Sequence, residues 1–566
     1  MSISKCALIH MSSSADRTPF THNFKPFAVT PFKTAFQKNV PTLQINAPYR
    51  RLKEASVRLL DAFVDLMFVF VDEPLLPSQS NFAPVEEAGE AVQVSIVEGA
   101  IPDEFPEGVY IRNGANPLYG GLKSAVSIFG KTSSLWVEGE GMVHAVYFKK
   151  DGAGNWTTSY NNRYVETETY LLEKDKNRPY ILPAAEGIPS AVLSSYLINL
   201  LRLRAGAKQY SNTNVVEHGG RFFSVTETHS PQEIDIHTLE TLGDWTIDGA
   251  WTRPFTSHPK KVPGTGELLI MGCDNLKPYY EVGIISADGS KLVHKEDLKF
   301  DRTVISHEIG VTQRLIKYEK DKHSRIGVMP RYGNAESVKW FAVEPSCAFH
   351  LINCFENGDD EVVVMGCKGQ ESIIPGPDFG VDKFKWFSRG FKNVYSVEEN
   401  GENTDQDGML FARAYEWRLN MKTGEVTEGY LTGTEFSMDF PLINPSFTGL
   451  KNRYAYTQVV DSSASSAAGM PKYSGLAKLH LEGTNDKLVE YHMFPENTYC
   501  SGAAFVSKPG ASEEDDGWIV AFVHDEDADK SQVYIVDANR ISGGAVAKIG
   551  LNSRVPYGFH GIFSPI

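Results

Sequence analysis

Past Ala83 the chain is written almost wholly in short runs of β-branched and aromatic residues, each closed by Gly, Asn, Asp or Pro. Gly108-Val-Tyr-Ile-Arg, Arg221-Phe-Phe-Ser-Val, Glu267-Leu-Leu-Ile-Met, Val338-Lys-Trp-Phe-Ala-Val, Glu361-Val-Val-Val-Met, Arg453-Tyr-Ala-Tyr-Thr and Trp518-Ile-Val-Ala-Phe-Val are examples. Runs of this kind are strands, because branched and aromatic side chains pack well on a pleated surface and the punctuating residues favour turns. Many short strands with few helices leave a sandwich, a barrel or a propeller. A chain of 566 residues without an obvious linker favours the propeller, which grows by adding blades. No strict Trp-Asp or kelch repeat is visible. The expected fold is therefore all-β.

Two stretches break the pattern. Val57, Leu60, Phe63, Val64, Met67 and Val71 recur at helical spacing, with Arg58, Asp61 and Asp65 opposite, and predict a helix over residues 55–71. Residues 190–204 predict a second, richer in leucine and ending in Arg202 and Arg204. Such an apolar helix suits a core or a bilayer interface, where the arginines would favour anionic lipid. The Gly-, Ser- and Pro-rich stretches 366–390 and 461–473 read as long surface loops.

Composition narrows the class further. A formal charge of −16 argues against a broad nucleic-acid surface. Cys6, Cys273, Cys347, Cys354, Cys367 and Cys500 form no Cys-x-x-Cys pair and read as reduced, mostly buried thiols. Asp16 is the only acid between Met1 and Lys53, a stretch rich in Ser, Thr, Lys and Arg. That composition is typical of an organellar transit peptide, expected over residues 1–48, with one catalytic domain over 49–566. No apolar run reaches the roughly 18 residues of a membrane span.

Four of the fifteen histidines each stand at the edge of a strand-like run. They are His258 in Phe-Thr-Ser-His-Pro-Lys-Lys, His307 in Ile-Ser-His-Glu, His350 in Cys-Ala-Phe-His-Leu-Ile-Asn, and His560 in Val-Pro-Tyr-Gly-Phe-His. The first three lie 49 and 43 residues apart, about one blade each, and the fourth falls where a last strand would close a ring. One histidine per blade at the same height would meet its partners on the central axis. His144 and His524 read as packing residues. Neither a phosphate loop nor a Gly-x-Ser-x-Gly elbow is present.

At these residues the chain resembles the plant carotenoid cleavage dioxygenases. The histidine motifs above, with Phe349-His-x-x-Asn-x-x-Glu356, carry the resemblance, and so do Tyr110-Ile-Arg-Asn-Gly-Ala-Asn-Pro, Trp136-x-Glu-Gly-Glu-Gly-Met-Val-His and Asp515-Asp-Gly-Trp. Ile326-Gly-Val-Met-Pro-Arg-Tyr-Gly and Lys131-Thr-Ser-Ser-Leu-Trp look closest to the zaxinone-synthase branch, whose substrates are apocarotenoids.

The resemblance implies a seven-bladed β-propeller with a few helices capping one face. It implies one Fe(2+) on His258, His307, His350 and His560, and oxidative cleavage of a polyene by dioxygen. Glu227 and Asp439 match two of three carboxylates that orient such ligands; Gly502 or Ala503 falls where the third belongs. It further implies a plastid location, a monomer and contact with a membrane surface that supplies the substrate. The two helices would then flank the tunnel mouth. Isomerase or hydrolase chemistry on the same fold stays open, as does an iron-deficient propeller that binds apocarotenoids without cleaving them. One departure stands out. After Arg314 the family pattern continues through another strand and its connection, but here Leu315-Ile-Lys-Tyr-Glu-Lys-Asp-Lys leads almost at once to Ile326. The blade of His307 is expected to be one strand short, leaving a less stable protein with a wetter tunnel.

Overall fold

Hairpins between neighbouring strands set the architecture of the computed structural model, which describes residues 5–11, 47–72, 81–135, 137–301, 305–311, 314–315, 324–370, 390–391, 408, 410–468, 470–482 and 488–566. Residues 214–244, 260–297, 347–430 and 437–493 each hold a four-stranded sheet in up-and-down order, blades II, III, V and VI, and the four strands within 498–550, blade VII, follow the same order as part of a nine-stranded sheet. Their turns follow the punctuation in the sequence. Gly358, for example, takes φ 72° between the strands Cys347–Asn357 and Glu361–Gly369, a conformation that costs glycine nothing. Every strand run named from the sequence falls on a strand of the structure, with Glu267, Val338 and Arg453 each one residue ahead of its start.

Blade I closes the ring. The last strand, Gly561–Ser564, pairs antiparallel with Gly108–Ala115, bringing Gly561 opposite Arg112 and Phe563 opposite Tyr110. The strand Val92–Gly99 pairs with Trp156–Tyr164 on one side and Ala545–Gly550 on the other, so blades I and VII share a continuous sheet. Sharing strands between the two ends of the chain leaves no open edge at the seam. Inter-blade space is filled by apolar clusters, such as Phe105, Phe148, Val506 and Trp518 between blades I and VII. The architecture is the seven-bladed β-propeller expected from the sequence.

Blade IV departs from expectation. It contains Ile305–Val311, Ser324–Pro330 and Lys339–Val343, with Arg314–Leu315 on the end of Ser324–Pro330. The missing place is filled from the other end of the chain: Lys5–Met11 lies between Ile305–Val311 and Ser324–Pro330, antiparallel to both. The expectation of a blade one strand short is thus corrected, because an apolar run near the N-terminus takes the place. The remainder of the expected transit segment, residues 1–4 and 12–46, lies outside the described residues.

The first helix, α1 (Ala47–Met67), starts earlier than its periodicity suggests and ends four residues sooner. Phe68–Val71 is a strand instead, since its alternation of Phe and Val suits pairing with Ser124–Ser127. Helix α2 spans Glu168–Lys176. Helix α3 (Pro189–Leu203) matches its expected range within a residue. It packs on α1 through Val64 and Ile198, and Arg202 pairs with Asp61 at 2.8 Å. The expected loop 461–473 contains a helix, Ser462–Ala468, whose first turn is capped by the Asp461 carboxylate on the Ala464 amide. In 366–390, Gly366–Gly369 finishes a strand and residues 371–389 lie outside the described residues. Cys273, Cys347, Cys354, Cys367 and Cys500 form no disulfide among the described residues.

Candidate metal centre

Each of the four histidines enters at the inner strand of its blade. His307 lies on Ile305–Val311 and His350 on Cys347–Asn357, the first strands of blades IV and V. His258 stands two residues before the first strand of blade III, and its amide is held by Thr256 Oγ1 at 3.1 Å. His560 immediately precedes the closing strand of blade I, and its backbone is tied on both sides, with its carbonyl accepting from the Asn113 amide and its amide donating to the Thr213 carbonyl. Four blades therefore place four imidazoles on one axis.

The Nε2 atoms face one another. His258 and His307 are 3.0 Å apart, His307 and His350 3.2 Å, and His350 and His560 3.1 Å, and the four ligand atoms all fall within 4.8 Å. Neutral imidazole lone pairs at such distances repel unless a cation sits between them. Adjacent ligands on a metal with bonds of about 2.1 Å stand about 3 Å apart, so the donor set fits a metal ion. Burial, reinforced by the neighbouring rings and by Lys260, holds His258 and His560 well below the usual imidazole pKa, which keeps them in the neutral, ligating form.

Behind the rings lie the carboxylates. Asp439 Oδ1 accepts from His350 Nδ1 at 2.7 Å, and Glu227 Oε1 contacts His307 Nδ1. A carboxylate on Nδ1 fixes the tautomer that presents Nε2 to the metal and raises its basicity. Burial alone would raise the Glu227 pKa, but the His307 ring beside it holds the carboxyl below its ordinary range. Among the described residues no carboxylate pairs with His258 or His560. Of Gly502 and Ala503, the two candidates for the third family position, Gly502 has φ 69°, and a Cβ there would lie 2.3 Å from Arg112 Cδ.

The residues whose roles the sequence left unread sit inside the motifs already quoted or, for Phe440, next to Asp439. Arg112 is fully buried, and its Nη1 donates to Ser501 Oγ and the Pro556 carbonyl, at 2.7 and 2.8 Å. Burial lowers its pKa to about 10. Glu308 ties three blades together, binding Lys260 Nζ with one oxygen and the Leu351 amide with the other. Phe349 lies 4.0 Å from the His307 ring, and Phe440 lies 4.7 Å from both His350 and His560. Phe440 takes φ 52°, with its amide held by Asp439, so a left-handed residue aims an apolar ring at the ligands. Adjacency to a ligand histidine or its carboxylate was the available signal. Next to His350, Phe349, Cys347, Cys367, Phe391 and Tyr473 line a largely apolar cavity that includes Asp439. His144 and His524 stand apart from the centre, hydrogen-bonded through Nδ1 to Tyr160 and Ser531.

A family model described as retinal pigment epithelial membrane protein, RPE65, matches residues 82–316 and 313–565. The carotenoid 9,10(9',10')-cleavage dioxygenase 1 of Pisum sativum is 30% identical over 85% of this chain and 88% of its own. The chloroplastic 9-cis-epoxycarotenoid dioxygenase NCED1 of Oryza sativa subsp. japonica is 27% identical over 86% of this chain and 75% of its own. Among solved structures, the lignostilbene dioxygenase of Pseudomonas brassicacearum superposes with a TM-score of 0.68 at 23% identity, over 87% of this chain and 100% of that one.

Proposed function

Because the chain belongs to the RPE65/carotenoid oxygenase family, we propose that it is a non-haem iron dioxygenase that cleaves one conjugated double bond of a carotenoid or apocarotenoid into two carbonyl products. The observation that carries this reading is the convergence of four Nε2 atoms at metal-ligand spacing, two of their rings braced by carboxylates. His258, His307, His350 and His560 hold the ion, and Glu227 and Asp439 orient His307 and His350. Iron, when bound, supplies dioxygen activation; imidazole is among the ligands suited to it. Phe349, Phe440 and the cavity beside His350 exclude water and offer an apolar wall to a polyene. No side chain is needed as acid or base, since both oxygen atoms of one dioxygen end in the two carbonyls and no proton is gained or lost overall. The motifs at Ile326 and Lys131 favour an apocarotenoid of the zaxinone-synthase kind.

Access to so insoluble a substrate fits a membrane surface. Leu59 and Leu66 on α1, Leu197 and Leu201 on α3, and the neighbouring Ile128 all expose their side chains, with Leu66 80% and Ile128 75% exposed. Patches of this kind mark interaction sites. Among the described residues no helix is long and apolar enough to cross a membrane, so contact would be peripheral. A plastid location, with residues 1–48 as the targeting segment, is favoured by the composition of that segment and the chloroplastic relative.

The test is metal analysis together with cleavage under isotopically labelled dioxygen. Purified protein is expected to carry one iron per chain, and both carbonyl products one labelled oxygen each. Label in only one product would point to a monooxygenase route with the second oxygen drawn from water, and label in neither to hydrolytic or isomerising chemistry. Full iron content in His350→Ala would overturn the ligand assignment.

A further inference from the structure

We propose that Lys5–Met11 is a working strand of blade IV, recruited from the N-terminus to replace the strand the chain lacks after Arg314, and that it stays in the mature protein. Register comes first. Cys6, Ala7 and Leu8 pair with Val311, Gly310 and Ile309 on one side and with Met329, Val328 and Gly327 on the other. A strand antiparallel to both neighbours makes those neighbours parallel to each other, and in an up-and-down blade the place between them belongs to the returning strand. Among the described residues between Val311 and Ser324, Arg314–Leu315 is set against the end of Ser324–Pro330. The family match divides at this same place, ending at 316 and resuming at 313.

Composition decides which segment suits the place. Ile309, Val328 and Met329 on the flanking strands are buried, at 0%, 1% and 1% exposure. A strand between two buried strands reads as a nearly continuous apolar run. Lys-Cys-Ala-Leu-Ile-His-Met has that character, whereas Ile316-Lys-Tyr-Glu-Lys-Asp-Lys-His, with five charged residues, does not. The consequence reaches the metal centre. Ile9 pairs with Glu308 and Met11 with Ile305, with a register shift across His307, so the backbone of a ligand strand has the N-terminal segment as its neighbour. Removal of residues 1–48 as a targeting peptide would strip this strand away. Targeting by this segment and its excision are therefore separable, and the second is what the fold opposes.

Two variants of the full chain test this, neither needing activity. Ala7→Cys with Val328→Cys places two thiols on residues paired across the ladder, at a separation a disulfide spans. An intramolecular crosslink, absent from either single variant, is expected. A crosslink between two chains would mean that a second copy fills the place, and would overturn the proposal, as would no crosslink. Leu8→Pro removes a backbone donor from the middle of the strand. Amide exchange in Ile305–Val311 and Ser324–Pro330 is expected to quicken at least tenfold, with iron lost faster to a chelator. Unchanged exchange would overturn the proposal; should Leu8→Pro fail to fold, the crosslink alone decides. A natural protein beginning beyond Met11 that keeps its iron and its melting temperature would overturn it as well.

Discussion

Arg112 leaves no room for a side chain at Gly502: the arm of the buried arginine fills the ground over the glycine so closely that a Cβ would lie 2.3 Å from its Cδ. The backbone agrees, since φ of 69° at Gly502 disfavours any side chain. Gly502→Glu, which puts a carboxylate at one of the two candidates for the third family position, is therefore expected to destabilise the fold. The left-handed backbone and the overpacking together cost on the order of 3 kcal/mol. A denaturant midpoint equal to or above that of the parent would show that Arg112 moves aside freely.

Asp439 holds His350 by a 2.7 Å bond and also accepts the Phe440 amide. Asp439→Ala should weaken metal binding by roughly 10–100-fold, the range found when the partner of a ligand histidine is lost. Asp439→Asn keeps an acceptor oxygen and should lose less. Competition against a graded chelator measures both; equal affinity in all three proteins would remove Asp439 from the metal centre.

Glu138 gives a pH dependence of stability. Burial, only partly offset by the Leu135 amide and Lys123, pushes its carboxyl from 4.5 up to about 7. The folded state thus binds this proton more tightly than the unfolded chain does. Its contribution is fully present below about pH 4.5 and is lost as pH rises towards 7, about 3 kcal/mol at most. Glu138→Gln should flatten that slope and melt higher than the parent at pH 8. Parallel pH profiles for the two proteins would refute the assignment.

Leu197 and Leu201 lie on the exposed face of α3, 45% and 67% exposed. Leu197→Asp with Leu201→Asp should abolish sedimentation with anionic liposomes while leaving the melting temperature within a degree or two, because neither residue is in the core. Undiminished liposome binding would reassign the apolar face to another partner.

Much was legible because the ligand motifs are local. His350 is read with Phe349 and Asn353 beside it, and Asp439 with Phe440 and Pro441, so each signal survives in a single stretch of chain. The helix at Phe68 ended early because the strand it meets, Ser124–Ser127, is distant in sequence and invisible to a periodicity count. Arg112 escaped notice for the same reason: what makes it important is Gly502 and Pro556, hundreds of residues away.

The sequence by itself determined the strand-rich class and the blade-length spacing of His258, His307 and His350, since both depend on residue type and short-range order. Only the tertiary structure decided that four Nε2 atoms face one another about 3 Å apart, because that requires blade closure by Gly561–Ser564. Only it, too, decided where Lys5–Met11 goes. Composition marked that segment as part of a leader, but a strand's place is set by which unpaired edges it meets, and those edges lie some three hundred residues further on.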